Sequence, residues 1–356
     1  MLRRLSFLLS LYIISFCGMA QDPNWSQFYS NQIYMNPAYT GLNKGLRLGL
    51  NYRNQWPTVP GKINTFTFEG DIQDFNLGGG IGINAMSDYE GEGALKTTSI
   101  GALYSYRLVV VSRAFDIQAG FGFNYVMKSI DWSKFVFSDQ LDPVQGNIYQ
   151  SAASPSGTGQ RNFVDLDAGA LAKFQMKLGD ATFANTLGVG VHHLTQPNES
   201  LLGLQTRLPM RITVHYNSLI PLGGSINFKN TFISPNIIWE QQGNFQTITL
   251  GFYILKSPIF AGLWYRDKTP LLTGSLSDAM IANIGWRSSF DGGMILQVGY
   301  SYDLTVSHLA TSTGGTHEFS VILQFDKAKL THTNTLSGSR KSNNCFQFGN
   351  GGFLGL

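Results

Sequence analysis

The stretch Leu46–Arg53, LRLGLNYR, alternates without a break. Leu46, Leu48, Leu50 and Tyr52 take one face and Arg47, Gly49, Asn51 and Arg53 the other, which is the two-residue period of a β-strand. Segments of the same kind recur to the end of the chain. Phe66 and Phe68 alternate with Thr65, Thr67, Glu69 and Asp71; Ile100, Ala102, Tyr104 and Tyr106 oppose Ser99, Gly101, Ser105 and Arg107; Phe121, Phe123 and Tyr125 oppose Gly120, Gly122 and Asn124. Further segments begin near Leu77, Leu166, Thr182, Met210, Ser225, Phe245, Ile259, Ala279, Met294 and Thr316. The count comes to about fourteen strands, each near the ~9–11 residues of a tilted membrane strand.

The connections decide the architecture. Those after even strands are short: Asp74-Phe75-Asn76, Ser112-Arg113, Leu178-Gly179-Asp180, Pro221-Leu222-Gly223, Ser257-Pro258 and Asp291-Gly292-Gly293. Those after odd strands are longer and more polar: Trp56–Asn64, Ala85–Lys96, Ser129–Asn162, His193–Pro209, Pro235–Asn244, Asp267–Asp278 and Asp303–Gly315. A β-sandwich has no reason to sort its loops by parity, whereas an outer-membrane barrel has short periplasmic turns and long outer loops. The expected fold is therefore all-β, an up-and-down antiparallel transmembrane β-barrel over 46–325. Closure follows because the bilayer offers no water to satisfy strand edges. The apolar faces would meet lipid. The opposite faces carry both signs, among them Arg47, Glu69, Asp71, Asp165, Asp167, Arg266 and Glu318, which suits internal ion pairing or a bound plug better than an ion-selective pore.

Upstream of the first strand, residues 21–45 are irregular and aromatic-rich. Trp25, Phe28, Tyr29, Tyr34 and Tyr39 lie among Asn, Gln and Ser, and Asn36-Pro37 breaks any regular element. The segment is expected to be a plug inside the barrel or a periplasmic segment beneath it, and these residues are candidates for plug or partner contacts. Before them, Arg3 and Arg4, the apolar run Leu5–Phe16 and Gly18-Met19-Ala20 have the order of a secretory signal peptide over 1–20. Its apolar core is too short to span a membrane. Cys17 raises lipidation, against which stands the bulky Phe16. Removal of the leader leaves Cys345 alone, which excludes an intramolecular disulfide and paired-cysteine metal sites. Charged residues make up only 13% of the chain, about half of what a water-soluble domain carries. No basic face points to nucleic acid. The last strand, Thr316–Phe325, closes on an aromatic, and a flexible periplasmic tail is expected over 326–356. An even strand number puts both termini in the periplasm.

Two word-level patterns stand out: Asn31-Gln32-Ile33-Tyr34-Met35-Asn36-Pro37-Ala38-Tyr39-Thr40-Gly41 with Tyr52-Arg53-Asn54-Gln55-Trp56-Pro57, and Gly314-Gly315-Thr316-His317-Glu318-Phe319-Ser320. They resemble the opening and closing patterns of the PorP/SprF family, outer-membrane proteins associated with the type IX secretion system of Bacteroidetes and, in some members, with gliding motility. The resemblance implies a non-enzymatic outer-membrane component. It would support export or surface attachment of a secreted cargo, such as an adhesin, through the cargo's C-terminal signal domain. It would also connect to periplasmic and outer-membrane components of the same machine.

No enzyme is visible. His192-His193 would point to opposite faces of a strand and so rarely share an ion. Asp165 and Asp167 share a face, but no spaced His or Ser constellation joins them. Gly78-Gly79-Gly80-Ile81-Gly82 lacks the Lys-Ser/Thr of a phosphate loop, and inward glycines make room for neighbours or a plug. Glu90 and Glu92 are too few carboxylates for calcium. No cofactor or metal is expected. In the long insertion Ser129–Asn162, Trp132, Phe135, Phe137 and Leu141 are apolar for a solvated loop, and a partner contact is favoured over a lid. The rival readings are a small-solute transporter or porin gated by the N-terminal segment, and a secreted β-sandwich.

Overall fold

In the computed structural model the alternating segments pair into one closed sheet. The structure describes residues 22–328 apart from 44, 75, 92–93, 112–113, 143, 153–157, 179–180, 204, 223–230, 269–276 and 307–311. The leader expected over 1–20 and the tail beyond 328 lie outside the described residues. The strands are β1 (Leu46–Gln55), β2 (Ile63–Asp74), β3 (Gly79–Glu90), β4 (Leu95–Val111), β5 (Phe115–Ile130), β6 (Leu141–Asp142), β7 (Gly146–Asn147) and β8 (Gln160–Leu178). They continue with β9 (Ala181–His192), β10 (Arg211–Pro221), β11 (Thr231–Gln242), β12 (Phe245–Lys256), β13 (Ile259–Asp267), β14 (Ser277–Phe290), β15 (Met294–Thr305) and β16 (Thr316–Phe325). All except β6 and β7, which make a ladder of their own, form a closed antiparallel barrel of 14 strands. Each strand pairs with its neighbours in sequence, and β1 closes on β16 from Leu46↔Phe325 to Gln55↔Thr316. Both edges of β1 are thereby paired, since β2 takes the other.

The alternation sorts as the sequence predicts. Along β13, Ile259, Ala261, Leu263 and Tyr265 are exposed while Phe260, Gly262, Trp264 and Arg266 are buried. Phe121 on β5 is 62% exposed, a placement that only lipid makes favourable for a residue of that size repeated round the wall. The inner wall is less uniform than expected. The inward faces of β1, β2, β15 and β16 carry Arg47, Arg53, Glu69, Asp71, Asp303 and Glu318, all buried. Across the lumen, Leu171, Leu219, Phe232, Tyr253, Phe260 and Trp264 point inward and form the hydrophobic core together with Phe28, Tyr29, Met35, Tyr39 and Leu42 of the N-terminal segment. The barrel thus has its apolar core inside.

Two of the expected connections differ. Pro235–Asn244 is not a loop: β11 runs through Pro235 to Gln242, and a tight turn at Gly243 leads into β12. Proline lacks an N–H, and the cost is visible as a gap in one ladder. The β10–β11 register steps from Asn217↔Asn236 to Ile220↔Ile233, while β11–β12 pairing is continuous through Pro235↔Phe252. The strand expected from near Ser225 is β11, which starts at Thr231; residues 223–230 lie outside the described residues. Residues Ala85–Lys96 also contract, because β3 continues to Glu90 and β4 begins at Leu95. Barrel strands extend past their apolar band, so polar side chains do not end them.

The segment before β1 lies within the barrel. It begins at the long-connection end, where the Asp22 amide donates to Gln242 Oε1 at 3.0 Å and the carboxylate meets Arg211, at the ends of β11 and β10. It passes through the single-turn helix Gln32–Met35 and the 3-10 turn Pro37–Tyr39. Asn36 starts that turn by accepting from the Ala38 amide at 2.9 Å, with Pro37 preset at the first position. It leaves at the short-turn end through Gly45, whose φ of 73° and proximity to the Phe325 backbone admit no side chain. An even strand number does place the start of β1 and the end of β16 at one end. The described chain nevertheless begins at the other, because the segment ahead of β1 doubles back through the lumen.

Candidate functional site

The N-terminal segment is held by side chains that each strand's alternation delivers inward. Near the long-connection end, Ser26 sits in a cluster of four charges. Its amide donates to both Glu318 oxygens at 2.8 and 3.0 Å, and its hydroxyl donates to Asp303 Oδ2 at 2.5 Å and accepts from Arg266 Nη2 at 2.7 Å. Arg53 pairs with Glu318, and Arg266 with Asp303 at 3.2 Å. Gln27 donates to the Glu318 carbonyl at 3.0 Å and accepts from Ser320 at 2.6 Å. Midway, Arg47 binds Glu69 at 2.7 Å, Asp71 at 3.2 Å and the Ser30 carbonyl at 2.7 Å. Towards the short-turn end, the Gly41 amide donates to Asp71, and the Thr40 carbonyl accepts from Ser105 and Gln118. Such charges are tolerated out of water because each is paired and hydrogen-bonded.

The predicted plug residues come together here. Trp25 is buried, with its carbonyl accepting from Arg266 and its ring edge-on to Tyr34. Phe28 packs on Trp264 at 5.3 Å, and Tyr29 lies edge-on to Tyr253 and donates to Asn236 Oδ1. The Tyr34 amide donates to Glu69, and its ring lies 4.6 Å under the Arg211 guanidinium. Asn36 donates to the Ala170 carbonyl, Pro37 accepts from the Thr40 hydroxyl, and Tyr39 stacks on His215 at 5.4 Å. Glycines flatten the wall against them. A side chain on Gly120 would strike the backbone of Pro37 and Ala38, one on Gly169 would strike Asn36, and one on Gly80 would strike Gly41. Reading the sequence for aromatics missed Ser26, Gln27 and Thr40, which carry much of the polar contact. The inward alternation Thr213, His215, Asn217 was the available signal for His215.

At the mouth, His192 and His193 depart from the opposite-face expectation. β9 ends at His192, and His193 adopts a φ of 59°, which turns its ring towards Asp165 and Asp22 beside the Asp167 that His192 meets. His193 Nδ1 lies 2.5 Å from Asp165 and Nε2 lies 2.7 Å from Asp22, while His192 Nδ1 lies 3.2 Å from Asp167. Burial would lower the His193 pKa, but Asp22 and Asp165 outweigh it and raise the group to about 10. Burial likewise opposes ionisation of Asp22, yet His193 and Arg211 hold it well below the usual carboxylate range. The Asp165, Asp167 and His193 ligand atoms lie within 4.8 Å of one another, as a metal site would require. Both ring nitrogens of His193 are, however, already engaged by carboxylates, which is the arrangement of an imidazolium clasp. Beside it open two clefts that share Asp22, Pro23, Asp88 and Glu90 as lining residues.

The predicted outer-loop residues are elsewhere, in the connection between β5 and β8. Trp132 and Phe137 are half-buried, with Trp132 and Phe135 rings 5.9 Å apart, and Phe135 and Leu141 are exposed. Val136, Val144, Ile148 and Tyr149 are exposed beside them. The structure keeps these residues apart from the lumen set.

The sequence profile of the family described as type IX secretion system membrane protein PorP/SprF matches residues 18–323. The chain belongs to the PorP/SprF family. The match covers the lumen segment and the whole barrel of this PorP/SprF chain, apart from the last residues of β16. No curated protein sequence matches it. Among solved structures it is similar to CdiB from Acinetobacter baumannii, at 9% identity over 79% of this chain and a TM-score of 0.43. The PorP/SprF chain spans 60% of the CdiB chain. It is also similar to the translocator domain of the autotransporter NalP from Neisseria meningitidis (12% identity, 79% of this chain and 88% of that one, TM-score 0.35) and to the COG4313 outer membrane channel from Pseudomonas putida F1 (11%, 85% and 98%, TM-score 0.37). These likenesses add nothing to the barrel already described. The chain is thus an outer-membrane β-barrel of a family of type IX secretion membrane proteins.

Proposed function

We propose that this barrel is a non-catalytic docking component of the type IX system, which supports export or surface attachment of a secreted partner such as a gliding adhesin through the partner's C-terminal signal domain. The observation that carries this reading is the burial of residues 25–43, all but the half-buried Tyr34, in the lumen, bonded to both its charged and its apolar wall. A lumen occupied from mouth to base favours a barrel that binds proteins over one that conducts them. The long connections face outward in this reading, and the short turns and the end of β16 face the periplasm. The exposed apolar side chains Phe135, Val136, Leu141 and Val144 then offer the secreted partner a contact on the outer face.

Affinity capture of tagged protein from gently solubilised outer membranes tests the proposal. Co-purification of a large surface protein bearing a type IX signal domain is the expected result, and repeated recovery of a lone barrel would count against it. A solute-transporter reading is favoured by one feature, the cleft at the mouth with charged walls that include Arg53, Asp88, Glu90, Arg266 and Asp303. It predicts steady conductance or solute uptake by the pure protein with no cargo present, and loss of both when the cleft is filled.

A further inference from the structure

The described chain ahead of β1 runs through the barrel from one end to the other. Asp22 is tied to Gln242, His193 and Arg211, all at the end of the barrel that carries the long connections. From there the chain descends past Asp303 and Glu318, then Glu69 and Arg47, then His215 and Gln118, to Gly45 beside Phe325. Asp22 and Pro23 are only half-buried and line both clefts at the mouth. Further down, the lumen is filled by the segment itself, and the open space lies at the mouth.

From this geometry we infer that the processed amino end of the chain is displayed at the long-connection mouth, on the opposite side of the membrane from the carboxyl end of the barrel. The outer-membrane barrel plan places strand ends, and with them both termini, in the periplasm; here the amino end is carried across by threading. The outer face is then built from the long connections together with a chain end. The inference that this face is the cell exterior rests on the orientation proposed above, while the separation of the two ends does not.

Single-cysteine labelling decides both points. In a Cys345→Ser background, Pro23→Cys, Val144→Cys and Ala328→Cys are each exposed to a small, charged, membrane-impermeant thiol reagent, first on intact cells and then after outer-membrane permeabilisation. Val144 is 91% exposed in a long connection, and Ala328 lies just past β16 at the short-turn end. The background chain controls for Cys17, and gel mobility before heating shows that each barrel is folded. Expected is complete labelling of Pro23→Cys and Val144→Cys from outside, with Ala328→Cys labelled only after permeabilisation. Pro23→Cys that tracks Ala328→Cys, or that stays unlabelled in both conditions, overturns the inference. Should Val144→Cys and Pro23→Cys together require permeabilisation while Ala328→Cys does not, the threading stands and the proposed orientation fails.

Discussion

Arg47→Met is the sharpest test of how the lumen segment is held. In the native barrel Arg47 is fully buried, with Nη1 at 2.7 Å from Glu69 and 3.2 Å from Asp71 and Nη2 at 2.7 Å from the Ser30 carbonyl. Glu69 and Asp71 are buried to the same degree. Methionine fills much of the arginine's volume but leaves two carboxylates facing each other without a cation. Removing one partner of a buried ion pair costs about 3–5 kcal/mol. The lost charge-assisted bond to Ser30 adds about 1.5 kcal/mol, and burial of the apolar methionine side chain offsets roughly 1–2 kcal/mol. The net expectation is a loss of about 4 kcal/mol, a large part of a typical folding free energy of ~5–15 kcal/mol. Urea unfolding in lipid vesicles, followed by far-ultraviolet circular dichroism and by gel mobility of unheated samples, reads the change. The triple variant Arg47→Met with Glu69→Gln and Asp71→Asn removes the unpaired charges and should recover all but about 1–2 kcal/mol. A single variant within about 1 kcal/mol of the parent, or a triple variant no better than the single, would refute the argument that the arginine is needed for its charge.

Gly120→Val places side-chain atoms against the backbone of Pro37 and Ala38; overpacking of about 1–3 kcal/mol should loosen the segment and raise conductance in planar bilayers. The His193 contribution to stability has a defined pH window, since its folded value of about 10 exceeds the ordinary 6.5. It is complete below about pH 6.5 and is lost as pH rises through about 10. His193→Gln should remove that part of the alkaline fall in melting temperature, measured in detergent. Tyr29→Phe deletes the bond to Asn236 and should cost about 1 kcal/mol in the same urea assay, with the ring packing on Tyr253 kept. Phe135→Ser with Val136→Ser should change stability by no more than about 0.5 kcal/mol and lower the partner recovered by affinity capture, which separates docking from folding.

The barrel was legible because lipid and lumen impose opposite demands on successive residues, and Leu46–Arg53 records that contrast without noise. Strand limits were less legible. Pro235 reads as a loop because its backbone cannot complete a ladder, yet β12 alone holds β11 in register there. The aromatic character of residues 25–39 marked them as unusual, whereas their path did not follow from composition. Direction depends on which distant carboxylate each amide meets: Ser26 and Glu318 are 292 residues apart in sequence. His193 was misread because the period-two rule expires where a strand does, and only its φ reveals the turn. The apolar inner wall had a trace in β13, where IFAGLWY is apolar on both faces, a pattern that lipid on one side alone does not require.

A closed ring with its own leading segment passed through it is a lasso. The seam between β1 and β16 is the noose, and bulky rings at Trp25, Phe28 and Tyr29 sit within it as knots on the cord. Sideways release of the segment requires opening the β1–β16 ladder, and endwise release requires dragging those rings past the inward side chains of the wall. Assembly must therefore lay the cord inside before the seam closes. Once it has closed, the segment is retained by mechanical interlock as well as by its bonds, so weakening single contacts slackens the cord without setting it free.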